Sequence, residues 1–255
     1  MYFKTPRTER QCRCSRRLSV VPLEGTDAKN VCAGYPDTLP ALLTWSERNA
    51  TAPAVTDATM TLTWHALQDR VLRVAGGLRK AGIGAGARVA LWLPNGADYL
   101  AAIFACARLG ALAVHINTRF RAAEVGSLLR RTRAVALVTQ WGFAPVEFPA
   151  IFTALPQEDR AALRCVLAPQ TSLSANALAG LPVLPLESDP ADAGPDQAIG
   201  GVPCLTFTTS GTTSGRGLAP CRSAVPSAMR QQWPQSRAAR ISYVLRNSTA
   251  PRQLL

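Results

Sequence analysis

Eight consecutive residues, Thr208-Thr209-Ser210-Gly211-Thr212-Thr213-Ser214-Gly215, gather hydroxyls and unobstructed backbone N–H groups, and a cation, Arg216, follows directly. Such a run packs poorly as core but suits anionic oxygens. Glycine lets the backbone turn through positive φ and approach a ligand, and successive N–H groups form a concave nest for phosphate. The competing reading is a flexible Ser/Gly linker. Two features favour the phosphate loop. The run follows a β-prone lead-in (Cys204, Leu205, Phe207) without a break, and Thr is a stiff β-branched residue, ill suited to a flexible connector. The fixed Gly-Lys-Ser/Thr ending of a P-loop is absent.

The preceding sequence must position that run. Thr38 and Pro40 open a short helix whose apolar face is Leu39, Leu42 and Leu43. Ala54-Val55-Thr56 and Met60-Thr61-Leu62 fit a hairpin. Thr63 then caps a helix with Leu67, Val71, Val74, Ala75 and Leu78 on one stripe, closed by Gly82. From there strands and helices alternate: strands at Arg88–Leu93, Ala113–Ile116, Ala134–Thr139 and Arg164–Ala168, and helices at Ala97–Leu109 and Ala122–Thr132. Alternation of this kind requires crossover connections, so the fold class is α/β, layered, with a mainly parallel sheet and flanking helices. Residues 170–200, rich in Pro, Ala and Asp, are expected to form a surface connection to the loop-bearing strand.

Thr209-Ser210-Gly211-Thr212-Thr213-Ser214-Gly215 resembles the phosphate-binding signature of the AMP-binding, or adenylate-forming, superfamily of acyl-CoA synthetases, luciferases and peptide-synthetase adenylation domains. Leu62-Thr63-Trp64, the run Gly84–Pro94 and the segment Gly110–Arg119 are similar to family segments in the same order. The resemblance covers about residues 38–220. It implies an incomplete N-terminal domain of that fold, with Thr208, Thr209, Ser210, Gly211, Thr212, Thr213, Ser214, Gly215 and Arg216 binding ATP phosphates. It also implies the family reaction: a carboxylic acid attacks the α-phosphate of ATP, with Mg²⁺, to give an acyl-adenylate and pyrophosphate, and coenzyme A then displaces AMP. Where the family has Pro then Lys after the loop, this sequence has Arg216 and Gly217. A lost cation contact to phosphate is worth about 1.5–3 kcal/mol, and Arg216 supplies a cation one position earlier. No catalytic residue is assigned.

Bulk properties exclude several other classes. The chain has 255 residues, 47% hydrophobic and 17% charged, a globular composition. Its net charge is +12. Residues 1–17 contribute +5 and residues 221–255 contribute +6, which leaves +1 for the body. Cations confined to the ends do not make a nucleic-acid groove. No apolar run reaches the length of about 18 residues that spans a bilayer, so the expected location is the cytoplasm. Seven scattered cysteines and two distant histidines, His65 and His115, fit neither a disulfide lattice nor a metal site, and both histidines read as ordinary structural residues.

After Pro220 the composition changes to Arg, Gln, Ser, Pro and Ala with no acidic residue. Residues 1–35 and 221–255 are therefore expected to be disordered basic ends, and 36–220 a partial AMP-binding domain. The break reads as a shift of reading frame near residue 220, the alternative being a genuine basic tail. The functional expectation is an acyl-CoA synthetase-type ligase by descent, inactive as this chain. The alternatives are a non-catalytic nucleotide- or partner-binding fragment and a generic α/β domain with a Ser/Thr/Gly linker.

Overall fold

The structure, a computed structural model, describes residues 38–45, 50–57, 60–143, 146–170, 176–209 and 217–222. Helix α1 (Leu39–Trp45) is followed by the small antiparallel pair β1 (Pro53–Thr56) and β2 (Thr61–Thr63). The main body then alternates: α2 (Trp64–Lys80), β3 (Arg88–Trp92), α3 (Ala97–Arg108), β4 (Leu112–His115), α4 (Ala122–Thr132), β5 (Ala136–Thr139), α5 (Phe148–Thr153) and β6 (Cys165–Ala168). It continues with β7 (Ala177–Leu178), β8 (Leu181–Pro185), β9 (Pro203–Thr209) and β10 (Gly217–Arg222). One eight-stranded sheet has the order β10-β9-β4-β3-β5-β6-β8-β7. The pairs from β9 through to β8 are parallel, and only the two outermost pairs are antiparallel.

The local signals act as the sequence implies. Thr63 caps α2 by accepting the N–H of Ala66 at 3.2 Å, and Gly82, with φ of 76°, turns the chain out of it. On α3 the first N–H groups are met from outside the helix: Asp57 Oδ2 accepts the Ala97 N–H at 3.2 Å. Alternation of side chains along β3 splits the core into two layers. Val89 and Leu91 face α2 and α3, whereas Ala90 and Trp92 face α4 and α5. Helix α2 is pressed onto the segment after β8 through Gly76 and Gly77. A Cβ on Gly76 would stand 2.8 Å from the Asp189 carbonyl oxygen, which explains two glycines inside a helix despite a propensity cost of about 1 kcal/mol each.

Two expectations need correcting. Residues 170–200 are more than a surface connection, because β8 enters the main sheet beside β6 with Val183 opposite Val166. Two prolines, at 182 and 185, obscured that strand; its outer position and its pairing with the two-residue β7 accommodate them. The segment between β5 and β6 includes α5 and a 3₁₀ turn at Gln157–Arg160, which anchors Asp159 against Arg130 of α4. Finally, ordered strand continues to Arg222, past the composition break at 220, because β10 pairs along β9 from Gly217↔Thr209 to Arg222↔Pro203. Pro220 fits there because β10 is an edge strand and needs no second ladder. Of the ends expected to be disordered, 1–35 and 221–255, all but Cys221 and Arg222 lie outside the described residues.

Candidate functional site

Ligands of open parallel sheets bind beyond the carboxyl ends of the strands, and β3, β4, β5 and β9 all end at one such rim. Two places on it are informative. The first is the point between β3 and β5, where successive crossovers leave in opposite directions, α3 on one face and α4 on the other. Here the rim is filled. Trp92, fully buried, meets Phe148 edge-on at 4.8 Å, and Phe148 stacks on Phe143 at 6.0 Å. Thr139 lies in register beside Trp92, and neither its Oγ1 nor Trp92 Nε1 has a hydrogen-bond partner among the described residues.

The second place is the β4–β9–β10 flank. β9 runs parallel to β4, with Ala113 opposite Leu205 and Val114 opposite Thr206, so Phe207, Thr208 and Thr209 emerge at the rim beside His115. β10 returns antiparallel, and Gly217 pairs with Thr209. Both ends of the Thr/Ser/Gly run are thus fastened to one sheet edge. A linker joining two domains would not have this arrangement. Of the residues expected to bind phosphate, Thr208 and Thr209 close β9, with Thr208 partly buried. Ser210, Gly211, Thr212, Thr213, Ser214, Gly215 and Arg216 lie outside the described residues.

One feature of this flank escaped the sequence reading. His115, by sequence an ordinary structural residue, is the last residue of β4 and stands in an aromatic trio with Tyr99 of α3 and Phe207 of β9. Tyr99 Oη lies 2.7 Å from His115 Nδ1, and the ring centroids are 5.5 Å apart. The Phe207 centroid is 5.6 Å from that of His115, and Phe207 remains 38% exposed although it is a large apolar residue. Burial lowers the His115 pKa, so the ring is neutral near pH 7, and burial raises that of Tyr99, which keeps its proton. The available signal was positional: a polar aromatic closing a parallel strand sits where ligands bind.

Neighbouring thiols are not reactive groups. Cys106 of α3 is fully buried and its pKa is pushed up to about 12, chiefly by desolvation, so it holds its proton. A cavity of ≈ 420 Å³ opens at the opposite rim, lined by Arg88, Leu112 and Pro203, the first residues of β3, β4 and β9. It is on the wrong side of the sheet for the loop. Among the described residues no group of three or more His, Cys, Asp and Glu side chains is gathered to hold a metal ion.

The AMP-binding enzyme family model matches residues 42–216, the whole alternating body together with the Thr/Ser/Gly run. The chain belongs to the AMP-binding enzyme family. It is similar to Protein Y of Streptomyces griseus, 33% identical over 177 residues, which cover 66% of this chain and 54% of that protein. It is 40% identical over 87 residues to a feruloyl-CoA synthase of Amycolatopsis sp, covering 34% of this chain and 18% of the synthase. In fold it is similar to the N-terminal domain of FACL13 from Mycobacterium tuberculosis, with a TM-score of 0.61 at 23% identity over 74% of this chain and 45% of that one. The chain spans about half the length of Protein Y and less of the feruloyl-CoA synthase. Membership of the family accounts for the α/β sheet and for the placement of the signature at the end of β9. Among the described residues no helix is long and apolar enough to cross a membrane.

Proposed function

We propose that the chain carries the ATP-phosphate grip of an AMP-forming acid–thiol ligase, an acyl-CoA synthetase-type enzyme of the cytoplasm, and does not complete the reaction by itself. The observation that carries this reading is the delivery of the Thr/Ser/Gly run by β9 to the carboxyl rim, with β10 securing its far end. In the reaction, a carboxylate oxygen attacks the α-phosphorus of ATP, the bond to the bridging oxygen breaks, and pyrophosphate leaves. The thiol of coenzyme A then attacks the acyl carbon and AMP departs. Catalysis of phosphoryl and adenylyl transfer rests on positioning and on donors aimed at the phosphate oxygens. Hydroxyls and N–H groups of Thr208–Gly215 supply those donors, and Arg216 supplies a charge in place of the family lysine.

The family reaction also uses Mg²⁺. The described residues gather no group of three or more His, Cys, Asp or Glu side chains and so do not fit a metal site of their own. Support for incomplete turnover comes from the family pattern. The family match covers residues 42–216, and the chain spans about half the length of Protein Y. The body proposed for 36–220 extends to Arg222 through β10.

Two measurements on the full chain test the reading. ATP should raise the melting temperature, and Ser210→Ala with Thr212→Ala should abolish the rise. ATP–pyrophosphate exchange should be absent with any of a panel of aliphatic and aromatic acids. Exchange with one of them would overturn the incomplete-turnover part, and indifference of ATP binding to the two substitutions would overturn the phosphate-loop part.

A further inference from the structure

We propose that His115, locked by Tyr99 into the tautomer protonated at Nε2, is an oxyanion-binding residue on the β4–β9 flank, donating to a phosphate or carboxylate oxygen of the bound substrate. This rests on the reading above that the flank holds an adenylating site. Tyr99 is 6% exposed, and among the described residues its hydroxyl has the single partner His115 Nδ1, at 2.7 Å. If the imidazole donated from Nδ1, the phenolic proton would be left in the interior without an acceptor, a loss of the kind buried polar groups avoid. The phenol therefore donates to Nδ1, and the one ring proton of the neutral imidazole sits on Nε2.

Nε2 has no partner among the described residues and, unlike the Trp92 and Thr139 atoms, is not shut away from solvent. A donor of fixed tautomer has thus been built at the carboxyl rim and left unused by the fold. Its surroundings fit an anion better than a cation. A neutral N–H donor accepts no proton from a bound oxygen and repels no charge, and the nearest rings, Tyr99 and Phe207, carry no carboxylate. Phe207 adds a half-exposed apolar face that lowers the local dielectric and strengthens such a bond. The oxygen could belong to the nucleotide phosphate or to the acid substrate, since both present a planar or tetrahedral oxyanion to the same donor.

The test uses the full chain labelled with ¹⁵N-histidine. At neutral pH the long-range ¹⁵N–¹H spectrum should show His115 with Nε2 protonated and Nδ1 bare, and Tyr99→Phe should convert it into a tautomer mixture. Wild-type His115 protonated at Nδ1 would overturn the proposal. AMP, inorganic pyrophosphate and octanoate are then titrated separately, and at least one should shift the His115 Nε2 signal. A response to AMP or pyrophosphate assigns the phosphate oxygen, and a response to octanoate alone assigns the carboxylate. His115→Phe should weaken the responding ligand by about tenfold to a hundredfold, while His115→Gln, which keeps an N–H near the Nε2 position, should recover most of the loss. AMP binding that depends on Ser210 but leaves His115 unmoved would sink this proposal and spare the phosphate loop. A His115 response that survives Ser210→Ala would do the reverse, and failure of all three probes to bind would remove both.

Discussion

Gly77 of α2 lies directly against the carbonyl of Leu186, so close that a Cβ on Gly77 would stand 2.7 Å from the Leu186 carbonyl carbon. Both partners are backbone on elements fixed elsewhere, α2 by its buried stripe and Leu186 by its N–H bond to Ala168 at 2.8 Å. Gly77→Ala should therefore lower stability. The gain in helix propensity is about 1 kcal/mol, whereas overpacking against rigid backbone costs toward the upper end of about 1–3 kcal/mol, and the clash should win by up to about 2 kcal/mol. A urea titration showing an unchanged or raised midpoint would contradict this contact.

Arg133 ends α4 in the left-handed region, with φ of 50° and ψ of 45°, and its side chain is exposed. An L-residue with a Cβ bears a penalty of about 1 kcal/mol there that glycine escapes. Arg130 and Arg131 remain to complement the helix dipole. Arg133→Gly is expected to stabilise the chain by about 0.5–1 kcal/mol, read as a rise in melting temperature.

His115 should make stability depend on pH. Its folded pKa is depressed by burial below the ordinary value of about 6.5. Between those two values the unfolded chain binds the extra proton, so its contribution is complete above about pH 6.5 and declines as acid is added toward the folded value. Protonation also places a hydrogen on Nδ1, where the Tyr99 hydroxyl already donates. Wild type should therefore lose stability as the pH falls below about 6.5 more steeply than His115→Gln. Parallel pH profiles for the two proteins would contradict the assignment.

The sequence made the alternating body legible because the evidence for it is local. Thr63 as a cap, Gly82 as a stop and the stripe Leu67–Leu78 each act within a few residues, and the crossovers follow from alternation alone. Long-range pairing was not legible. β8 hid behind Pro182 and Pro185, and its strand character comes from lying beside β6 at Cys165–Ala168, whose paired residues stand seventeen positions earlier. β10 straddles a change of composition and is strand because β9 is there to pair with it. Likewise Tyr99 and His115 are separated by a whole helix, and only the fold of α3 back over β4 brings the hydroxyl to the ring.

Among the described residues, Trp92, Phe148 and Phe143 fill the rim between β3 and β5, so a nucleotide bound as proposed would be held from the β9 flank. A molecule held from one flank depends on a second cover to keep its other side dry. For a mixed anhydride such as an acyl-adenylate, that dependence sets a clock: water competes with any thiol, and the lifetime of the intermediate becomes a measure of how well the uncovered side is screened.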